Sequence, residues 1–578
     1  MRDRVPEYER HEPEKTLLHQ VVREELECFL ARSRESGAPV ARFVEREIRA
    51  YLDCGVLANG FLRVHCDDCG HDRLVAFSCK GRGFCPSCGG RRMADTAAHL
   101  VERVLPEVPV RQWVLTLPYP LRLPCAWDAK LTSAVLGAFL RALFADQRRR
   151  AKQVHGVRKG NCAAVTFIQR FGSALNLTPH FHSLVLDGVY AGPAHSPGPF
   201  LPLPPPETED VERVMAGTAR RVMRLVERRR QGSGLDDDAA ADDDPLLATL
   251  MAASVQSRIA TGPEAGQRSR RLVDRVDPAE EDALADPPPR CARQGGMSLH
   301  ADVAVPARDR KRLERLCRYV ARPPIAIDRL EALPDGRLAH RLKTRWRDGT
   351  THVLMERREL LERLAPLIPP PRAHQVRYHG LLAPCASGRD RVVPRPLASS
   401  EAGAAGRAAI GGGPAGSLEG VDRKLYPSDP SSSGDTASQG SVDGRCAATR
   451  DHHADRDTTM AVTAGADPGR AEAAPKASTR RSLWADLLQR VFEVNALCCP
   501  RCGGRMRVLA AITEADVARR VLACLNLPTR APPLAMSRPG GRISTWPELD
   551  PPSAGRTDAL WSAFEFDQST PAEWDVGA

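Results

Sequence analysis

Two Cys-x-x-Cys pairs constrain the N-terminal part of this chain more than any other feature. They are Cys66 with Cys69 and Cys85 with Cys88, and fifteen residues separate the two pairs. Each pair closes a tight turn that presents two thiolates, and four thiolates complete the tetrahedral coordination of Zn2+. Because such a site has no open position for a substrate, the spacing predicts a structural zinc ion.

Other cysteines and histidines lie close to these pairs. Cys54, His65, His71 and Cys79 are additional candidate ligands, and Cys79 either belongs to a second site or displaces one of the four. The chain has 17 cysteines, and its charged first residues lack the apolar core of an export signal. We therefore expect metal-binding thiols rather than disulfides.

Basic residues flank the cysteine pairs. Arg82, Arg91 and Arg92 are predicted to contact DNA phosphates, and the alternative is a solvated basic face. The chain has 83 Lys and Arg against 72 Asp and Glu, a net charge of +11. This surplus suits a polyanionic partner but is too small to identify one.

Hydrophobic periodicity and composition divide the chain into four segments. We expect a helical zinc-binding domain at 1–106 and an α+β domain at 107–390 with a mainly antiparallel sheet. Proline-rich and acidic runs predict surface insertions at about 193–300. A disordered linker is predicted at 391–480, followed by a small module and tail at 481–578. No apolar run is long enough to span a membrane, so we expect a cytoplasmic, nucleoid-associated protein.

The strongest catalytic pattern is His180-Phe-His182, in a run with strand character. Residues i and i+2 of a strand face the same side, so the two imidazoles lie next to each other. Two neutral imidazoles and one oxygen ligand hold a divalent ion with open positions for a phosphate. Gln169 is the first candidate for the oxygen ligand and Asn176 the second, whereas the opposite parity of Asp187 excludes it.

A basic amphipathic helix precedes a pair of prolines and ends near Tyr319. Guanidinium groups around a tyrosine suit the approach to a phosphodiester. The alternative is an ordinary half-buried tyrosine at a helix end. The arginines predicted to bind DNA here are Arg315, Arg318 and Arg322.

A further cysteine cluster lies near the C-terminus. Cys499-x-x-Cys502 forms half of a zinc-binding motif, after a helix predicted at 483–491. Either Cys498, Cys524 or a distant residue completes the site, or the motif is degenerate.

Several blocks together resemble one known family. The run FLRVHCDDCGHDRLVAFSCKGRGFCPSCGGRRM is similar to the zinc-binding domain of rolling-circle transposases of the insertion sequence ninety-one group. The runs RQWVLTLPYPLR, LTPHFHSLVLDGV, RYVARPPIAIDRL and YHGLLAP resemble the transposase domain of that group, in the same order. The resemblance covers about 22–394 and the tail segment that contains Cys499 and Cys502.

This resemblance implies a palm-like HUH endonuclease (histidine, hydrophobic residue, histidine), with Tyr319 as the nucleophile and His180 and His182 as ligands of Mg2+ or Mn2+. It implies nicking of single-stranded DNA at element ends, a 5′-phosphotyrosine and a free 3′-hydroxyl. Two-tyrosine members carry a second tyrosine one helical turn away, where this chain has Arg315. Tyr378 is either a second actor or a structural residue.

Other functions fit parts of the same pattern. A zinc-dependent DNA-binding regulator without catalysis accounts for the cysteines, and a plasmid replication initiator or relaxase shares the His and Tyr chemistry. The chain contains no Gly-x-x-x-x-Gly-Lys-Ser/Thr motif, so we expect host replication or helicase proteins to unwind the DNA.

Overall fold

The computed structural model describes residues 11–232, 244–274, 289–346, 348–394 and 497–536. All but the first four residues of the predicted linker at 391–480 lie outside these ranges. The helix predicted at 483–491 and most of the acidic run at 236–244 also lie outside them.

The helices of the described residues are α1 (Leu17–Glu35), α2 (Arg42–Asp53), α3 (Pro86–Arg103), α4 (Tyr119–Trp127), α5 (Ala129–His155), α6 (Thr208–Gly232), α7 (Pro245–Val255), α8 (Arg310–Val320), α9 (Arg357–Leu364) and α10 (Ala515–Cys524).

The strands are β1 (Phe61–Cys66), β2 (Asp72–Ala76), β3 (Val110–Thr116), β4 (Ala163–Phe171), β5 (Leu177–Leu186), β6 (Gly188–Tyr190), β7 (Phe200–Pro202), β8 (Arg270–Val273), β9 (Cys291–Gln294), β10 (Met297–His300), β11 (Ala304–Val305), β12 (Leu330–Ala332), β13 (Leu338–Arg341), β14 (Thr350–Met355), β15 (Val376–Gly380) and β16 (Met506–Ile512).

The main sheet is antiparallel and has the order β15-β4-β5-β3-β10-β9, with β11 also paired to β3. This confirms the predicted α+β class and antiparallel sheet. Side chains of β5 alternate between two apolar cores, as the period of two requires. Phe181 and Val185 pack in the core that contains α5 and α6, whereas Leu184 and Leu186 pack in the core that contains α3 and α8. His180 and His182 share the parity of Leu184, so their face is the one that α8 covers.

The segment 193–300 is more than a surface insertion. Helix α6 buries Val211, Val214 and Val222 against the core that contains α5, and the β9–β10 hairpin extends the main sheet. The apolar residues of α6 have helical spacing, but many arginine and glutamate residues lie between them. For this reason the helix was not predicted from the sequence.

The boundary predicted at 106 does not separate two cores. Helices α1 and α2 share one apolar core with α7 and α9, which come from far later in the chain. The described residues on both sides of that boundary belong to one compact unit. Strands β12, β13, β14 and β8 form a separate four-stranded sheet, and Leu330, Leu338, Val353 and Met355 of this sheet lie in the same core.

The C-terminal residues 497–536 join the N-terminal part of the fold. Strand β16 pairs antiparallel with β1, giving a three-stranded sheet of order β16-β1-β2. In the part of the chain that the structure describes, every helix is too short or too polar to cross a bilayer.

Candidate active site and cysteine clusters

The two histidines lie on the middle of the main sheet. In β5, His180 is paired across the strands with Thr116 and Gln169, and His182 with Val114 and Phe167. The Nε2 atoms of His180 and His182 are 3.0 Å apart. The sequence-predicted pair of adjacent imidazoles is therefore present, with His182 buried and His180 half-buried.

Each imidazole is held at its other nitrogen. The Nδ1 atom of His180 is 2.7 Å from the carbonyl oxygen of Thr178, so Nδ1–H donates and Nε2 keeps its lone pair. The Nδ1 atom of His182 is 2.8 Å from the amide group of Gln112. A 180° turn of that amide exchanges its nitrogen and oxygen, which lets Gln112 stabilise either tautomer of His182.

The charge state of His182 follows from its surroundings. Burial lowers the pKa of His182 well below its usual value, and electrostatic interactions with His180, Arg322 and Lys343 lower that pKa further. His182 is therefore neutral at physiological pH. A neutral imidazole is the form that binds a metal ion.

Tyr319 lies next to this pair, at the C-terminal end of α8. Asp309 caps the helix by accepting from the backbone N–H of Arg312 at 2.9 Å. An apolar stripe then packs the helix on the histidine face of the sheet; it consists of Leu313, Leu316, Cys317 and Val320. The Tyr319 ring stands edge-on to the His182 ring, with 6.1 Å between the centroids and 89° between the planes.

Two cations flank the tyrosine ring. The guanidinium carbon of Arg322 and the Nζ atom of Lys343 each lie 4.5 Å from the ring centroid of Tyr319. Both distances are within the range of a cation–π contact. Positive charge is thus concentrated at the tyrosine.

Gln169, in β4 and opposite His180 of β5, connects the main sheet to α8. Its amide nitrogen donates to the carbonyl oxygen of Val320 at 2.7 Å, and its Oε1 atom is buried without a hydrogen-bond partner. An unpaired buried amide oxygen opposite His180 suits the predicted role of metal ligand. Asn176, the second candidate, donates instead to the hydroxyl of Thr178. Asp187, which strand parity excluded, forms a buried ion pair with Arg111.

The sequence interpretation did not single out two residues of this site. Gln112 lies in β3 directly before the apolar residues Trp113, Val114 and Leu115, and a polar side chain next to such a run was the available signal. Lys343 follows β13 in a segment without periodicity, so no local pattern could place it beside Tyr319.

The N-terminal cysteines form two groups, and the predicted grouping is wrong. Cys66 and Cys69 do not meet Cys85 and Cys88. One group instead contains Cys54, Cys79, Cys85 and Cys88, and the other contains Cys66, Cys69, Cys499 and Cys502. Neighbouring sulfurs are 3.4 to 3.7 Å apart in the first group and 3.4 to 3.5 Å apart in the second.

These distances identify the kind of bond that each group can make. A disulfide requires about 2.05 Å between sulfurs. Four sulfurs at about 2.3 Å from a tetrahedral zinc ion are about 3.8 Å apart. Both groups therefore match a zinc site and not a pair of disulfides. Of the extra candidates, Cys54 and Cys79 belong to the first group, whereas the Nδ1–H of His65 donates to the carboxylate of Asp72 at 2.8 Å.

Two family models match the chain. The model described as "Putative transposase" matches residues 163–390, which include the histidine pair and Tyr319. The transposase zinc-binding domain of the insertion sequence ninety-one type matches residues 21–117. The chain belongs to the insertion sequence ninety-one family of transposases. No curated protein and no solved structure matches it.

Membership of this transposase family bears on the metal and on the substrate. The zinc-binding match spans all six N-terminal cysteines of the two groups, which supports structural zinc in the transposase. Transposases act on DNA, so DNA is the substrate.

The predicted DNA-binding arginines of the transposase lie in or near two helices, α3 and α8. Arg82 and Arg92 are exposed beside the first cysteine group, and each donates to a backbone carbonyl, of Ala373 and Lys80 respectively. On α8, Arg315 is exposed and Arg318 donates to Glu314 at 2.8 Å. The others are half-buried: Arg91 donates to Ser78 and Arg322 to the carbonyl oxygen of Tyr319.

Proposed function

We propose that this transposase nicks and rejoins single-stranded DNA at the ends of its element, with Tyr319 as the nucleophile. The observation that carries the proposal is the edge-on placement of the Tyr319 ring 6.1 Å from the His182 ring. A phenol beside two imidazoles and two cations has the components that transfer of a phosphodiester requires.

The residues present fit a divalent cation. His180 and His182 would hold Mg2+ or Mn2+ through their Nε2 atoms, and Gln169 through its unpaired Oε1 atom. When bound, such an ion polarises an oxygen of the scissile phosphate. The carbonyl of Thr178 and the amide of Gln112 orient the two imidazoles for this role.

The positive side chains prepare the nucleophile and the phosphate. Phenols are weak nucleophiles at neutral pH, since a reference pKa near 10 leaves about one part in a thousand ionised. Arg322 and Lys343 stabilise negative charge at the phenolic oxygen and at the phosphate that approaches it. Arg315 and Arg318, on the same helix, would contact neighbouring phosphates.

The nicking step exchanges one ester bond of the phosphate for another. The phenolic oxygen forms a bond to phosphorus, and the bond from phosphorus to the 3′ oxygen breaks. The phenolic proton passes to water, and the 3′ oxygen takes a proton from water, which leaves a 5′-phosphotyrosine and a 3′-hydroxyl. Because an ester replaces an ester, attack by a 3′-hydroxyl reverses the step without ATP. Unwinding of the duplex is assigned to host proteins.

A single tyrosine, Tyr319, performs both nicking and rejoining. Arg315 occupies the position one turn before Tyr319, where two-tyrosine members have their second tyrosine. Tyr378 lies on β15 and packs against the apolar core on the histidine face. Its role in the proposal is structural.

The decisive experiment locates the covalent bond. Single-stranded oligonucleotides that tile the DNA flanking the gene are incubated with the full-length protein and Mn2+. A covalent adduct is then digested and sequenced by mass spectrometry. We expect the modified residue to be Tyr319, and an adduct on any other residue would refute the assignment.

Matched variants separate catalysis from binding. Tyr319→Phe is expected to abolish the adduct and keep DNA binding, whereas Tyr378→Phe is expected to keep both. The double variant His180→Ala/His182→Ala is expected to bind DNA without cleaving it. Binding without any cleavage by the wild-type protein, over all the tiled oligonucleotides, would favour a DNA-binding regulator instead.

A further inference from the structure

The second cysteine group joins two ends of the chain. The sulfur of Cys66 is 3.5 Å from that of Cys502, and the sulfur of Cys69 is 3.4 Å from that of Cys499. These pairs are separated by 436 and 430 residues in sequence. The zinc-binding family match ends at residue 117 and therefore includes only half of this group.

The two halves of the group have the same local structure. Each is a Cys-x-x-Cys-Gly sequence, and its glycine, Gly70 or Gly503, has a positive φ of 70° or 76°. In each half the glycine N–H donates to the carbonyl of the first cysteine, at 2.9 Å in both. The N–H of that first cysteine donates in turn to the carbonyl five residues later, at 2.9 Å for Cys66 and 2.8 Å for Cys499. Paired turns of this kind present four thiolates to one ion.

The apolar contacts around this group are small. One cluster has five buried residues: Val64, Cys66, Val75, Cys499 and Met506. A second joins α10 to the N-terminal part through Ala518 and Leu522 against Leu57 and Phe61. In β16, Val508 is 51 % and Leu509 40 % exposed, so much of the strand buries little apolar area. Modules with so small a core usually require a metal ion or disulfides to stay folded.

The charged contact between Arg507 and Asp67 is an exposed ion pair. Arg507 donates to Asp67 at 2.6 Å, with side chains 62 % and 57 % exposed. Such pairs contribute little to stability because water and salt screen them. In addition to the backbone pairing of β16 with β1, an ion bound by the four cysteines would join residues 497–536 to the β1–β2 hairpin.

We propose that a second zinc ion, bound by Cys66, Cys69, Cys499 and Cys502, fastens the C-terminal module to the N-terminal zinc-binding domain. The module is then a part of that domain, supplied by the other end of the chain. Without this ion, β16 separates from β1 while the site of Cys54, Cys79, Cys85 and Cys88 stays intact. The proposal does not depend on the chemistry assigned to Tyr319.

Thiol labelling of the wild-type, full-length protein tests the shared site. Cys69 and Cys502 are exposed, so protection from alkylation has to come from the metal rather than from burial. As a chelator is added, iodoacetamide should modify Cys66, Cys69, Cys499 and Cys502 over the same concentration range. Cys385 and Cys524, which are exposed and outside both groups, serve as controls that react throughout. Release of Cys499 and Cys502 at a different chelator concentration from Cys66 and Cys69 would overturn the proposal.

Zinc content and hydrogen exchange test the docking itself. The wild type should contain two zinc ions per chain, and Cys499→Ser/Cys502→Ser should contain one. In that variant, amide exchange in β16 should rise at least about tenfold, because the paired state opens more readily. Cys524→Ser is the control and should keep both zinc ions and the slow exchange. If the wild type contains one zinc ion, or if Cys499→Ser/Cys502→Ser leaves amide exchange in β16 unchanged, a zinc ion does not hold β16 on β1.

Discussion

The ring of Tyr319 stands perpendicular to the ring of His182, at 89° and with 6.1 Å between centroids. Tyr319 is at the end of α8, and His182 is in the middle of the main sheet. The two meet because Leu313, Leu316, Cys317 and Val320 pack α8 on the histidine face of that sheet. The arrangement brings the phenol, the two imidazoles and two cations together on one face of the sheet.

The first prediction concerns the amide that holds His182. Gln112→Leu removes the hydrogen bond to Nδ1 of His182 while keeping the side-chain volume. We expect the single-turnover nicking rate and the affinity for Mn2+ to fall by about ten- to a hundredfold, as for other groups that orient a metal ligand.

Gln147 supplies the control for this prediction. It is also a buried glutamine, and it donates to the carbonyl oxygen of Leu186 at 2.8 Å. Gln147→Leu should destabilise the fold without lowering Mn2+ affinity. Equal effects of the two variants on Mn2+ affinity would mean that Gln112 is merely structural.

The second prediction concerns the cation that no sequence pattern identified. Lys343→Met keeps the length of the side chain but removes the charge 4.5 Å from the Tyr319 ring. The nicking rate should fall by about a hundredfold, since lost stabilisation of transition-state charge typically has that size. Lys311→Met, on the exposed side of α8, should leave the rate within about twofold, because a distant solvated charge is screened. Rates under saturating DNA are compared, and similar losses in both variants would refute a local role of Lys343.

A third prediction concerns the buried ion pair between Arg111 in β3 and Asp187, which directly follows β5. Arg111 and Asp187 are 2.8 Å apart, with side chains only 4 % and 8 % exposed. Arg111→Met should lower the free energy of unfolding by about 3–5 kcal/mol, because it leaves a buried carboxylate without its partner. The double variant Arg111→Met/Asp187→Leu should recover part of this loss. Urea denaturation measures both, and a double variant less stable than the single one would contradict the explanation.

The fourth prediction concerns pH. Burial raises the pKa of Glu362 from 4.5 to about 7, with the hydroxyl of Thr261 as a hydrogen-bond donor that acts in the opposite direction. The folded state therefore keeps a proton that the unfolded state loses between pH 4.5 and pH 7. The contribution of Glu362 to stability is present below pH 4.5 and is lost as the pH rises through about 7.

Glu362→Gln removes this titration. Relative to the wild type, the variant should gain stability as the pH rises from 4.5 to 7, by at most about 3 kcal/mol for a shift of this size. Denaturation of both proteins at pH 5 and pH 8 gives the difference. If the stability difference is the same at both pH values, Glu362 does not titrate as described.

The separation of the cysteines shows where local patterns fail. Three Cys-x-x-Cys pairs are each followed by glycine: Cys66 with Cys69, Cys85 with Cys88, and Cys499 with Cys502. Their local sequences therefore do not show which two pairs share a zinc ion. Spacing favoured the first two pairs, which are close in sequence. Pairing of β1 with β16 instead brings the third pair to the first, and Cys54 and Cys79 complete the remaining site. Long-range strand pairing has no signature in the spacing of the cysteines.

The sequence by itself determined the features that depend on short-range geometry. The period of two in β5 placed both imidazoles on one face, and the apolar stripe with its terminal prolines placed Tyr319 at the end of a helix. Tertiary structure alone decided which face α8 covers, which side chains support His182 and Tyr319, and which cysteines share a metal. These depend on contacts between segments that are distant in sequence, and such contacts are selected by the packing of whole apolar faces rather than by neighbouring residues.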